Sequence, residues 1–362
     1  MQALILVGGE GTRLRPLTLT TPKPVVPLVD RPFIRYMVDW LARHGVDDVV
    51  MACGFLAAGV RDVLGDGEGD GPRLRYVEEP EPRGTAGAMK FAERFLDDRF
   101  LALNGDVLTD LDLGKLIELH EQRGADATLA LHPVEDPSAY GLVRRSEDGE
   151  ITEFIEKPDP GEIDTDEVNA GAYVLEKSVL GLVPEGREVS IEREVFPKLV
   201  GKRLYGRRLE GYWMDIGTPQ RYLQASWDIL ERRVETDVGQ RLDPDGRLVE
   251  SDVEMGAGVS VEAPAIIEAR ARLADGARVG PRAVVGSGSE VGERATVEES
   301  VLMHGARVGA GAEVRGAILA GGVEVGDGAS VAPGAVIGEG ARIAPGSTVG
   351  EDARVQPGEE PT

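Results

Sequence analysis

The sequence predicts an α/β fold, a Rossmann-like, mostly parallel sheet, followed by a β-solenoid. Three observations carry this. Short apolar runs alternate with amphipathic segments up to about residue 230. A glycine-rich stretch, Leu6 to Leu17 (LVGGEGTRLRPL), follows the first apolar run. Beyond residue 252 an aliphatic residue recurs every six positions. Alternating β and α segments place helices on both faces of a parallel sheet. Ala3–Val7, Asp48–Cys53, Leu74–Glu78, Phe100–Asn104 and Ala127–Leu131 read as strands. Phe33–Arg43, Gly84–Leu96 and Leu113–Gln122 read as helices, with apolar residues such as Phe33, Met37 and Leu41 on one face. Ligands of such sheets sit beyond the carboxyl ends of the strands, so Gly8–Gly11 and Asp106 belong on one functional edge.

The division expected is a catalytic domain over 1–230, a charged connector over 231–252 and a repeat domain over 253–357. In the repeat, Met255, Val261, Ile267, Leu273, Val279, Val285, Val291, Val297 and Met303 keep a six-residue spacing. The frame slips by one, runs through Val308, Val314 and Ala320, slips again, and resumes from Val325 to Val355. This period means short strands and tight turns stacked into coils, with the aliphatic residues pointing inward. The pattern resembles hexapeptide-repeat proteins, and that resemblance implies a left-handed parallel β-helix.

Composition narrows the function. The formal charge is −24, which opposes nucleic acid as the main partner. A phosphorylated small molecule remains compatible, because a few local cations and backbone amides suffice to hold one. No apolar run is long enough to span a bilayer, and the N-terminus lacks the signature of a signal peptide. The single cysteine, Cys53, permits no internal disulfide. A soluble, cytoplasmic protein without a membrane partner is the expectation.

The glycine-rich stretch is neither G-x-G-x-x-G nor a P-loop. Adjacent Gly8 and Gly9, with Gly11 and Thr12 following, can present backbone amides to an anion. Pro16, Pro22, Pro24 and Pro27 exclude a long helix after it, so an extended loop is expected, carrying Arg13, Arg15 and Lys23. Fixed cations beside a glycine nest suit a triphosphate or pyrophosphate. Asp106 ends an apolar strand and Asp215 follows an aromatic pair. Two such carboxylates suit Mg²⁺ that also takes phosphate oxygens. The four histidines show no metal spacing. Cys53 reads as core, and Ser190 as the cap of a helix over Ile191–Leu199.

G-G-x-G-T-R-L-x-P-L-T followed by P-K-P resembles the signature of the nucleotidyltransferases that make sugar nucleotides. The likeness continues through Gly84-Thr85-Ala86-Gly87, Asn104-Gly105-Asp106, Glu156-Lys157-Pro158, Asn169-Ala170-Gly171 and Asp215-Ile216-Gly217-Thr218-Pro219. Val189–Pro197 and Tyr212–Asp215 look most like the mannose-1-phosphate guanylyltransferase branch. The resemblance implies GTP and mannose-1-phosphate as substrates, Mg²⁺ as cofactor, and homo-oligomers formed through the β-helix. It implies Arg13 and Lys23 as the catalytic cations. Gly8, Gly9, Gly11, Thr12, Glu79, Gly84 and Thr85 join Arg13 at the nucleotide. Gly141, Glu156, Lys157 and Asn169 hold the sugar phosphate, and Asp106 and Asp215 hold the metal.

Glu79 separates nucleotides on chemical grounds. Relatives that use uracil or thymine carry a glutamine near this position, which can accept from a pyrimidine N–H and donate to a carbonyl. A carboxylate only accepts. Guanine offers adjacent N1–H and N2–H donors, whereas uracil would present a carbonyl to it. The alternatives are a glucose-1-phosphate nucleotidyltransferase using UTP, dTTP or ATP, and a non-catalytic subunit that senses sugar nucleotides. Retention of Arg13, Lys23, Asp106 and Asp215 opposes the second. An added acyltransferase activity is opposed by a repeat domain with His304 as its one histidine and no lysine after Lys202.

Overall fold

The computed structural model describes residues 1–54, 57–67 and 71–360. The chain forms two compact units, one of Met1–Gly9 with Ile34–Trp213, the other of Glu10–Phe33 with the chain from Met214 onward.

The first unit is built on a nine-stranded sheet. Its strands are β1 (Gln2–Leu6), β2 (Asp48–Cys53), β3 (Arg73–Glu78), β4 (Arg99–Asn104) and β5 (Ala127–Pro133). β6 (Gly141–Arg145), β7 (Ile151–Glu156), β8 (Glu167–Glu176) and β9 (Leu204–Arg208) follow. The order is 7-6-8-4-1-2-3, with β5 beside β8 and β9. β4, β1, β2 and β3 are parallel, as the alternating pattern requires. β8 runs antiparallel to β4, β5 and β6, so the sheet is mixed. The chain between β5 and β8 carries no helix long enough for a parallel crossover, and short connections favour antiparallel neighbours.

Helix α1 (Phe33–Arg43) has the expected bounds, and α2 (Ala57–Leu64) was not expected. α3 (Gly84–Ala92) ends early and continues as a 3₁₀ turn, Glu93–Phe95. α4 (Leu113–Arg123) is capped by Asp112, whose Oδ1 accepts from Lys115 N at 3.3 Å. A π turn at Ile191–Val195, capped by Ser190, leads into the short α5 (Phe196–Leu199). Leu4, Val50, Phe100, Leu129, Tyr173 and Phe196 form part of one buried core. Cys53 is buried as expected, and burial pushes its thiol up to about 12. It is therefore no nucleophile at neutral pH.

In the second unit, three sheets of parallel two- or three-residue strands stack as the left-handed β-helix expected. One sheet starts at Arg247–Val249, inside the stretch read as a connector, because these residues pair with Ala265–Ile267. A helix also forms there, over Asp237–Arg241. The frame slips fall one turn earlier than the hexad count placed them. Val285 pairs in turn with Leu302, and Leu302 with Leu319. These leucines, not Met303 and Ala320, occupy the inward column. The single-residue deletions therefore lie in the turns before Val301 and Ile318. Met255 is in register with the inward Leu273, yet it is 48% exposed because its strand is the last of its sheet.

The sheet that begins at Arg247 has a second apolar column, one residue before the inward one: Ile266, Val284, Val301, Ile318 and Val336. All are buried. Helix α6 (Pro219–Leu230) accounts for this cover. Near its start Gln220 Nε2 donates to Asp352 Oδ1 at 3.3 Å. Just past its end Glu231 pairs with Arg282 at 2.6 Å. The Arg282 guanidinium also lies 5.5 Å from the Trp227 ring centre. From residue 220 to 231 a helix spans roughly 17 Å. Four strand spacings, the separation of Arg282 from Asp352 along the stack, span roughly 19 Å. The helix thus runs along the coils.

Glu268, on a turn of this sheet, accepts from Ser287 N at 2.9 Å. Burial, with Asp30 and Glu250 adding to it, raises its carboxyl to about 7. The folded state holds this proton more tightly than the unfolded one, so stability is lost as pH rises from about 4.5 through 7. Glu268→Gln is expected to raise Tm by a few degrees at pH 8 and not at pH 4, measured by calorimetry.

Candidate active site

In the first unit, β1 and β4 end side by side, with Leu6 in register with Asn104. Gly105 N donates to Leu6 O at 2.9 Å. Gly8 and Asp106 therefore leave the sheet together at its carboxyl edge, as the fold class predicts. Glu79 joins them. Its N–H donates to Cys53 O at 2.9 Å, extending the β2–β3 register past the sheet. Its Oε1 lies 3.9 Å from where a Cβ on Gly8 would sit. Burial raises the Glu79 carboxyl to about 7, and the neighbouring Arg83 restrains the shift. A Cβ on Gly9 would meet nothing within 4 Å.

Gly84 and Thr85 open α3, and their contacts run to the segment around residue 190. A Cβ on Gly84, at φ 64°, would lie 2.7 Å from Val189 O. Thr85 Oγ1 donates to Glu192 Oε2 at 2.8 Å and accepts from Ile191 N at 2.8 Å.

The residues expected at the sugar phosphate are brought together. Gly141 faces Glu156 across β6 and β7. A Cβ on Gly141 would lie 2.9 Å from Glu156 Oε2, so only glycine leaves this approach open. Lys157 N donates to Tyr140 O at 3.0 Å, and Lys157 has φ 54°, a left-handed conformation that is strained for a lysine. Asn169 Nδ2 donates to Tyr173 Oη at 2.8 Å. Burial raises the Glu156 carboxyl, and the charge of Glu192 adds to it. Trp213 donates from Nε1 to Ala170 O at 2.8 Å and meets Tyr140 edge-on, with ring centres 5.2 Å apart. Glu192 and Tyr173 were not singled out from the sequence. Their place depends on Thr85 and Asn169, and no local pattern reports such contacts.

In the second unit, the proline-rich loop is not extended. It coils into three 3₁₀ turns, Thr12–Leu14, Leu17–Leu19 and Lys23–Val25. Proline excludes the α-helix but tolerates such turns. Gly11, at φ 62°, lets the first turn begin, and Thr18 Oγ1 donates to Gly11 O at 2.8 Å. A Cβ on Gly11 would meet Lys23 Cβ at 3.0 Å, so the Lys23 stem crosses the glycine. Arg13 lies against the other end of the loop's surroundings, for a Cβ on Gly217 would be 2.6 Å from its Nη2. Asp215, two residues before, accepts from Arg221 Nη1 at 3.0 Å. Gly217→Ala is expected to displace Arg13 and lower kcat roughly 10²-fold with Tm unchanged, since the clash is with a flexible side chain.

The family model described as Nucleotidyl transferase matches residues 2–232, and the one described as GMPPB C-terminal domain matches residues 261–359. The chain belongs to the nucleotidyl transferase family. It is 40% identical over 235 residues to Mannose-1-phosphate guanylyltransferase of Mycobacterium tuberculosis, covering 64% of this chain and 65% of the relative. The match to Mannose-1-phosphate guanylyltransferase 1 of Arabidopsis thaliana is weaker but longer, 33% over 338 residues, 91% of this chain and 89% of the relative. The chain thus aligns with somewhat under two thirds of the mycobacterial relative's length. Among solved structures, HddC from Yersinia pseudotuberculosis complexed with GMP-PN superposes with a TM-score of 0.54. It is 28% identical and covers 62% of this chain and 97% of that one. Nucleotidyltransferases of this family generally use a divalent metal. Among the described residues no helix is long and apolar enough to cross a membrane.

Proposed function

We propose that this chain transfers GMP from GTP to mannose-1-phosphate, giving GDP-mannose and pyrophosphate. The observation that carries the reading is the half-buried Glu79 carboxyl beside Gly8, an acceptor at the glycine loop suited to guanine N1–H and N2–H. The names of the relatives and the GMP-PN complex of HddC support it. A sugar-phosphate oxygen attacks the α-phosphorus, the bond to the β-phosphate bridging oxygen breaks, and pyrophosphate leaves. The nucleophile is already an anion, so no base or covalent intermediate is required. The task is to hold two polyanions together, which positioning and charge neutralisation achieve. Arg13 stabilises charge on the transferring and leaving phosphates, and Lys23 holds the α-phosphate. Lys157 holds the sugar phosphate, while Glu156 and Asn169 accept and donate at sugar hydroxyls. The expected homo-oligomer, through the β-helix, belongs to the same proposal.

The donor chemistry fits Mg²⁺. Asp106 and Asp215 offer hard carboxylate oxygens, and the described residues contain no cluster of three or more histidine, cysteine or acidic side chains that could cage a metal. Few protein ligands, with phosphate and water completing the shell, is the arrangement Mg²⁺ favours. When bound, the ion withdraws charge from the phosphate oxygens.

A second reading has its own support. UTP--glucose-1-phosphate uridylyltransferase of Synechocystis sp. is 32% identical over 330 residues, 85% of this chain and 84% of the relative. A matrix of four triphosphates against mannose-1-phosphate and glucose-1-phosphate, reading pyrophosphate release, separates the two. The expected result is turnover with GTP and mannose-1-phosphate; turnover with UTP alone would sink the guanine assignment.

A further inference from the structure

We infer that Glu192 is a sugar-reading residue, forming with Glu156 a two-carboxylate acceptor for neighbouring hydroxyls of the hexose. The inference rests on the proposed function and adds a specificity residue to it.

The geometry is built from three parts of the first unit. Glu192 sits on the π turn and its Oε2 accepts from Thr85 Oγ1 at 2.8 Å and from Ser190 Oγ at 2.7 Å. The Thr85 hydroxyl is itself fixed, because it accepts from Ile191 N at 2.8 Å. Both donors grip one oxygen, which sets the carboxylate's direction and leaves Oε1 without a hydrogen bond from a described residue. Glu156 ends β7, a strand that packs against this π turn. Its carboxyl is half-buried, receives no hydrogen bond from a described residue, and feels Glu192 as the strongest neighbouring charge. Arg193 and Lys157 are the cations that face Glu156. The buried Tyr173 hydroxyl feels both carboxylates and accepts from Asn169 Nδ2 at 2.8 Å.

Two like charges brought together with oxygens unsatisfied are unfavourable unless something donates to them. The cations compensate charge, yet they leave lone pairs free. A hexose supplies adjacent O–H donors that can satisfy carboxylate lone pairs. The neighbourhood is already the sugar end, with Gly141 opening the approach to Glu156. A rigid second acceptor also gives what a single carboxylate lacks, a way to register the orientation of one hydroxyl relative to the next. A site built around hydrogen bonds to a hydroxyl rejects the analogue lacking it far more strongly than a purely steric pocket does.

The test uses the full chain and the substrate pair that the wild type turns over fastest in the matrix above, so a failure of the GTP and mannose assignment does not decide it. Glu192→Gln keeps the shape and can still accept from Thr85 and Ser190. We expect KM for the sugar phosphate to rise roughly 10- to 100-fold, with KM for the nucleotide within twofold of wild type. A set of monodeoxy sugar phosphates should identify one hydroxyl whose removal penalises the wild type at least tenfold and the variant much less. The acid limb of the sugar-phosphate profile should also move to lower pH, because Glu156 loses its like-charged neighbour. A merely structural Glu192 would leave the deoxy-sugar pattern unchanged; the limb shift by itself reports only the lost charge. Ser190→Ala, which removes the other grip on Glu192, should show a weaker form of the same pattern. An unchanged sugar-phosphate KM in Glu192→Gln, or a rise equal for every deoxy analogue, overturns the inference.

Discussion

Replacing Glu79 by glutamine is expected to lower the GTP-to-UTP ratio of kcat/KM by about two orders of magnitude. The amide still accepts one guanine N–H, but its NH₂ confronts the other donor, leaving two donors face to face in a half-buried site. Such a mismatch costs about 1–3 kcal/mol per unsatisfied group, and uracil gains a complementary partner at the same time. The wild type should carry a pH signature as well. Its carboxyl titrates at about 7 in the absence of nucleotide, and only the ionised form presents two acceptors. KM for GTP should therefore rise about tenfold per unit below pH 7 and stay flat above it. That limb should vanish in Glu79→Gln. Steady-state kinetics with both nucleotides from pH 5.5 to 8.5 read both effects, and an unchanged ratio would return Glu79 to a solvated loop.

Asp106→Ala is expected to lower kcat by roughly 10²- to 10³-fold, the scale for loss of one group that stabilises transition-state charge. Its strand is held from both sides, β1 and β8, so Tm should be preserved. The response to Mg²⁺ should distinguish a metal ligand from a neighbouring carboxylate. Raising Mg²⁺ should restore part of the loss if Asp106 contributes affinity for the ion, and chelation should reduce wild type and variant to a common floor. Retained metal-dependent turnover would remove Asp106 from the metal site.

The parts of the fold that were legible are those where one period dominates. Asp48–Cys53 and Phe33–Arg43 carry clean strand and helix patterns, and both have the expected bounds. The six-residue period held its frame because each coil repeats the same packing against its neighbours. The slips were misplaced because Leu302 and Met303, like Leu319 and Ala320, are adjacent apolar residues, and only strand pairing chooses between them. The antiparallel strands β6 to β8 were not read; in β6 and β7 polar residues such as Arg144 and Glu153 interrupt the alternation and pair with each other. At the site, Gly141 and Glu156 were singled out by resemblance, and the strand register sets them opposite each other. Glu192 was not, because its orientation depends on Thr85, 107 residues earlier.

The grouping of Glu10–Phe33 with the solenoid bears on the order in which the protein is made. Arg13 rests against Gly217, Tyr222 donates to Pro27 O, and Arg241 pairs with Asp30 at 3.1 Å. Each partner is about 200 residues downstream. At ordinary synthesis rates of about 5–20 residues per second, that is a delay of roughly 10 to 40 seconds. The loop that carries the proposed catalytic cations, Arg13 and Lys23, is among the first segments to leave the ribosome and among the last to find its place. Until α6 emerges, its glycines and prolines have nothing to settle on. A nascent chain halted with residue 210 just clear of the exit tunnel should already hold the sheet yet leave that loop open to proteolysis.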